Sequence, residues 1–138
     1  MNVAELTSKL SHAKRLQVGA VIVKGNKILA TGYNGMPSGW DNKCEDEITV
    51  FINGLDEKEL RTKPEVLHAE SNALMKVSAS TESSQDSTLF CTHAPCIDCA
   101  KLIFQSGIIS VYYRNQYRNN IGIEFLEKSG VNVTQYEV

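Results

Sequence analysis

The run TLFCTHAPCIDCAKLIFQSGIISVYY, residues 88–113, reads as a strand, a helix and a second strand. Thr88 to Thr92 is a short apolar run of the kind that forms a buried strand. Pro95 near the start of the next segment and Gly107 just past its end punctuate a helix, because Pro tolerates the first helical turn and Gly the left-handed conformation beyond the last. Ile108 to Tyr113 resumes strand. The connection from Thr92 to Ile108 is long enough for a crossover helix, so these two strands are predicted to run parallel. A further helix and strand follow. Ile121 to Ser129 has helical character, ends at Gly130 and leads into a strand from Val131 to Tyr136, which joins as a third parallel strand.

Upstream, Val18 to Val23 and Ile28 to Asn34 are two apolar, branched runs around Gly25-Asn26, the pattern of an antiparallel hairpin. Val3, Leu6, Leu10 and Ala13 recur at helical spacing, which predicts a first helix from Asn2 to about Lys14. A further helix is predicted from roughly Glu65 to Ala79 on the spacing of Val66, Ala69, Ala73, Leu74 and Val77. Met36 to about Lys63 shows little periodicity and carries Pro37, Gly39 and Gly54, so it is expected to be a long functional loop or lid. Ser80 to Ser87 is a polar connector. The sum is an α/β fold, with helices on both faces of a mixed five-stranded sheet.

At 138 residues the chain is expected to be one domain, 1–138, with one active site. Fourteen basic residues against sixteen acidic ones give a net charge of -2, with no basic run beyond Lys14-Arg15. That balance argues against a nucleic-acid polymer, whose binding rests on neutralising many phosphates, and in favour of a small ligand. Met1 to Leu10 lacks the apolar core of a signal peptide, and no stretch has the length of a membrane span, so a cytoplasmic protein is expected. Cys44, Cys91, Cys96 and Cys99 are therefore expected to be thiols, with metal binding the reading for at least two.

Cys96-Ile97-Asp98-Cys99 sets two thiols three positions apart on the first turn of a helix, whose unpaired N–H groups favour thiolates. Alone, that spacing fits redox chemistry equally well. His68-Ala69-Glu70 at the start of another helix argues for zinc. Three ligands, His68, Cys96 and Cys99, leave a fourth tetrahedral position open, as a catalytic zinc requires. Zinc brings the ionisation of water near neutrality, and Glu70 is placed to move protons. Residues two apart do not share a face inside a helix, so the pair is expected at the helix mouth.

His68-Ala69-Glu70 with Pro95-Cys96-Ile97-Asp98-Cys99 resembles the H-x-E and P-C-x-x-C signature of zinc deaminases. The chain further resembles the deoxycytidylate (dCMP) deaminases, the short phage-type members especially. The likeness is carried by RLQVGAVIV at 15–23, GYNGMPSG at 32–39, HAESNA at 68–73 and Pro95 through Ile103. It implies a cytidine-deaminase-like three-layer α/β/α sandwich, hydrolysis of dCMP to dUMP and ammonia, and a homo-oligomer, commonly a hexamer, in the cytoplasm (the host's, if viral). It also implies Asn34 on the deoxyribose hydroxyl, and Arg15, Tyr113 and Arg114 for the 5′-phosphate. Arg114 just past a strand's carboxyl end suits that role independently. Gly32, Tyr33, Asn34 and Gly35 are implied in a regulatory site where dCTP activates and dTTP inhibits, with Mg²⁺. No dinucleotide or phosphate-loop motif is present in that stretch. Some members hold a second, structural zinc; only Cys44, Cys91, His12 and His93 remain here, so one zinc per chain is expected. His93 is expected to shape the base pocket through its backbone.

Rival readings are a deaminase of another cytosine nucleotide or of tRNA adenosine, and a non-catalytic structural zinc module. The RNA reading calls for a basic surface that this composition lacks. The structural module calls for four protein ligands and gives Glu70 no task.

Overall fold

The computed structural model describes residues 1–137. Val138, the last residue of the expected domain, lies outside them. The elements run α1 (Asn2–Ser8), β1 (Gly19–Lys24), β2 (Lys27–Tyr33), β3 (Glu45–Ile52), β4 (Leu55–Thr62), α2 (Ala69–Ser78), β5 (Thr88–His93), α3 (Ile97–Gln105), β6 (Ser110–Asn115), α4 (Ile121–Lys128) and β7 (Asn132–Gln135). The main sheet has the order β2-β1-β5-β6-β7. β1 is antiparallel to both β2 and β5, while β5, β6 and β7 run parallel, each joined to the next by a helix. This is the mixed five-stranded sheet that the sequence predicts.

Two close approaches fix the layers. A Cβ on Gly19 would meet the Ala4 carbonyl oxygen of α1 at 2.0 Å, and one on Gly32 would meet that of Ala69 in α2 at 2.3 Å. Gly32 is paired with Ala20, the neighbour of Gly19, so the two glycines point to opposite faces of the hairpin. α1 therefore covers one face and α2 the other, with α3 and α4 continuing the second layer. Between them Ile22, Leu89, Ile103, Val111 and Leu126 are buried completely, each stabilising the fold by about 1.5–3 kcal/mol. Gly130 ends α4 in a left-handed turn, with the Val131 N–H bonded to the Leu126 carbonyl at 2.9 Å, and feeds Val131 into the core.

Met36 to Lys63 is not the loop expected of it. β3 and β4 pair from Glu45↔Thr62 to Ile52↔Leu55 around Asn53-Gly54, both of which have positive φ. That is the twist a two-residue hairpin turn needs. The hairpin is a separate two-stranded sheet, and such pairs are marginal alone. Its base is tied down: the buried Glu45 carboxylate accepts from the N–H groups of Lys14 and Arg15 at 2.8 and 2.9 Å. α1 is also shorter than predicted, ending at Ser8, and Ser11 turns instead to the Asn34 carbonyl at 2.7 Å. Among the described residues no helix is long and apolar enough to cross a membrane.

Candidate active site

Two helix mouths meet at the carboxyl end of β5. α2 starts at Ala69, later than its periodicity suggests, because His68 is its extended N-cap (φ −82°, ψ 153°). His68 thus faces out of the helix end, while Glu70, one residue into the first turn, is buried at 4% exposure. The unfavourable two-residue spacing is resolved in this way. α3 likewise takes Cys96 as its N-cap, with Pro95 one residue before it. The Cys96 sulfur accepts the Cys99 N–H at 3.5 Å, which holds both thiols at the mouth. α4 presses on this turn from behind: a Cβ on Gly122 would lie 2.2 Å from the Pro95 carbonyl oxygen.

His68 Nδ1 lies 3.3 Å from Cys99 Sγ and 3.5 Å from Cys96 Sγ, and the three donor atoms all fall within 4.8 Å of one another. Zn–S and Zn–N bonds in a tetrahedron put their ligand atoms about 3.5–3.8 Å apart, so the donor set fits zinc in both chemistry and spacing. Hydrogen bonding from the Cys99 thiol, and then from His68, pulls Cys96 down to about 4. Its bond to Cys96 and burial push Cys99 up. A bound zinc would require both sulfurs as thiolates, so its binding would release protons. Burial raises the Glu70 carboxyl.

His68, Glu70 and Cys96 open onto a cavity of about 880 Å³. Asn34 and Arg15 line it, as do Arg61 on β4 and Arg118 beyond β6. The Asn34 amide is already engaged, accepting the Val18 N–H and donating to the Leu16 carbonyl, both at 2.8 Å. Tyr113 and Arg114 are not brought to the cavity. β6 runs two residues past Tyr113, so Arg114 is still within the strand. Its guanidinium pairs with Glu5 of α1 and lies over the Tyr136 ring, 5.4 Å from the centroid. Tyr113 is buried in the core. Of the GYNG stretch only Asn34 reaches the cavity; Gly35 pairs with Leu67, and the Tyr33 carbonyl accepts from Asn72. Cys44 and Cys91 are free, buried, and apart from the donor cluster.

Sequence reading missed Arg61 and Arg118. Arg118 had a signal, since the segment NQYR at 115–118 leaves the carboxyl end of a parallel strand, where open α/β sheets bind ligands.

A family model described as the cytidine and deoxycytidylate deaminase zinc-binding region matches residues 1–115. ComE operon protein 2 of Bacillus subtilis is 37% identical over 136 residues, covering 98% of this chain and 68% of that protein. The deoxycytidylate deaminase of Schizosaccharomyces pombe is 36% identical over 139 residues, 99% of this chain. This chain spans only 42% of the length of that enzyme. Among solved structures, the dCMP deaminase from the cyanophage S-TIM5 in complex with dCMP and dUMP superposes with a TM-score of 0.87 at 49% identity, over 98% of this chain and 92% of that one.

Proposed function

The chain belongs to the cytidine and deoxycytidylate deaminase family, and we propose that its cavity hydrolyses the exocyclic amine of dCMP, giving dUMP and ammonia. One observation carries this: a buried carboxylate stands two residues past the histidine of a three-donor metal cluster, in a cavity lined by three arginines. His68, Cys96 and Cys99 would hold the zinc. When bound, zinc supplies the Lewis acidity that lets water ionise near neutral pH. Glu70 is placed to carry two protons in turn: the first from the attacking water to the ring nitrogen, the second from the hydroxyl left on the ring carbon to the departing amine, so that both protons of the water end in dUMP and ammonia. Its burial keeps the carboxylate poorly solvated and therefore a stronger base than a surface glutamate.

Arg15, Arg61 and Arg118 take the 5′-phosphate, since a doubly charged oxyanion requires cationic donors inside the cavity. Asn34 braces the turn that presents Arg15 and offers the deoxyribose its remaining lone pair. Arg114 holds α1 to the sheet. Arg61→Ala and Arg118→Ala are each expected to raise KM for dCMP by about tenfold, the scale of a lost charged hydrogen bond. kcat on dCMP and kcat/KM on deoxycytidine should stay unchanged, and Arg114→Ala should leave both substrates alone. An equal loss on deoxycytidine would sink the phosphate assignment.

The reaction itself is tested by incubating zinc-loaded protein with dCMP, CMP, deoxycytidine and an adenosine-containing RNA hairpin, following loss of the cytosine chromophore and formation of inosine. dCMP is expected to be consumed fastest. Deoxycytidine turned over as fast as dCMP refutes nucleotide recognition, inosine formation favours the RNA reading, and no turnover favours a structural zinc module.

Regulation by dCTP as activator and dTTP as inhibitor, with Mg²⁺, in a homohexamer, extends the proposal. It rests on the likeness of Gly32-Tyr33-Asn34-Gly35 to the dCMP deaminases. Gly32 has a separate duty, the close approach of α2. The expected result is that dCTP steepens and dTTP flattens the initial response to dCMP, with six chains by sedimentation. Curves unchanged by saturating amounts of both remove the regulatory claim.

A further inference from the structure

A relay of two hydrogen bonds ends on a histidine in the cavity wall. The Gly19 N–H lies 3.1 Å from Thr92 Oγ1, and that oxygen lies 2.9 Å from His93 Nδ1. Thr92 is buried, at 3% exposure. A hydroxyl has one proton and two lone pairs. The Gly19 N–H can only donate, so it takes one lone pair. Were His93 Nδ1 protonated, it would take the second lone pair, and the Thr92 proton would be left without an acceptor. None of the hydrogen bonds among the described residues offers another one. An unsatisfied buried donor is costly, whereas pointing the hydroxyl proton at Nδ1 satisfies every group. The ring proton then sits on Nε2.

His93 lines the cavity beside Ala94 and Asn115, three residues before Cys96. We propose that His93, fixed by Gly19 and Thr92 as the Nε2–H tautomer, donates a hydrogen bond to an acceptor oxygen of the nucleotide bound in the cavity. Its role is orientation and selection: a neutral ring of fixed tautomer welcomes a carbonyl or phosphate oxygen at that point and rejects an amine. Burial of the ring, which disfavours the imidazolium, agrees with the neutral form. The kinetic part of this inference rests on the deaminase reading of the cavity; the tautomer does not.

The two parts have separate tests. The chain has three histidines, so long-range ¹H–¹⁵N correlation spectra of the wild type and of His93→Gln assign the His93 ring. A protonated Nε2 and bare Nδ1 are expected at neutral pH, with Thr92→Ser unchanged and Thr92→Val shifted toward the other tautomer. A protonated Nδ1 in the wild type, or a Thr92→Val spectrum like the wild type, overturns the relay. In kinetics, His93→Leu is expected to lose about tenfold in kcat/KM, the scale of one hydrogen bond. His93→Gln, whose amide N–H reaches the Nε2 position, should recover to within about threefold. Equal impairment of the two variants assigns the loss to packing and overturns the donor role, as does no loss in either. A loss shared by dCMP and deoxycytidine marks a base or sugar oxygen as the acceptor, and a loss confined to dCMP marks the phosphate. If the wild type turns over neither substrate, the deaminase reading fails while the tautomer result stands.

Discussion

Glu70→Gln is expected to lower kcat on dCMP by roughly a thousandfold while the protein keeps its zinc, because general acid–base groups contribute about 10²–10⁴-fold. The substitution is nearly isosteric and removes only the ability to carry a proton. Glu70 is buried at the first turn of α2, whose helix end favours negative charge, yet desolvation dominates and raises its carboxyl. A folded-state value above the unfolded one means that stability is lost as pH rises through the folded value. In the metal-free protein, Glu70→Gln should therefore be at least as stable as the wild type above that pH. Zinc content by elemental analysis, kcat on dCMP and thermal melts with and without chelator separate the outcomes. Loss of zinc would make Glu70 a support of the metal rather than a proton carrier. Activity within about tenfold of wild type would move the proton to another group.

This expectation was legible in the sequence because the site is built from two short motifs at helix starts. His68-Ala69-Glu70 and Pro95-Cys96-Ile97-Asp98-Cys99 each act through local geometry, an N-cap and its first turn, that spacing alone defines. The parallel strands were legible for a similar reason: strand, helix and Gly stop follow one another along residues 88–113. The hairpin was not. Leu55 to Thr62 is exposed along its whole length, so no core imposes the alternation by which strands are recognised. Asn53-Gly54 between Ile52 and Leu55 was the available sign. Tyr113 and Arg114 were misplaced by strand length. Ending β6 at Tyr113 puts Arg114 beyond the sheet, whereas the strand continues to Asn115 and delivers Arg114 to α1. Two residues of strand length decide whether this arginine lies beyond the sheet or against α1.

A large structural effect that reaches the metal turn is expected outside both motifs. Gly122→Ala should destabilise the fold by about 2–3 kcal/mol, the upper part of the range for inserting atoms into a packed site. For a chain of this size that is a fall in melting temperature of roughly 10 °C. The added Cβ would meet the Pro95 carbonyl oxygen at 2.2 Å and the Cys96 carbonyl carbon at 2.9 Å. Both are backbone atoms, with no flexible side chain to swing aside. Pro95 is fully buried, so the turn cannot retreat outward, and α4 is held by Leu126 in the core. Any relief must come from moving the N-cap of α3, which carries Cys96 and, through its N–H···S bond, aligns Cys99. Gly122→Ala is therefore expected to weaken zinc binding as well as lower stability, measured by competition with a chromogenic chelator and by calorimetry. Ile121→Ala, one residue away on an exposed side chain, should change neither by much. A stable Gly122→Ala protein with wild-type zinc affinity would show that α4 can shift without the metal turn, and would dismiss the coupling between them.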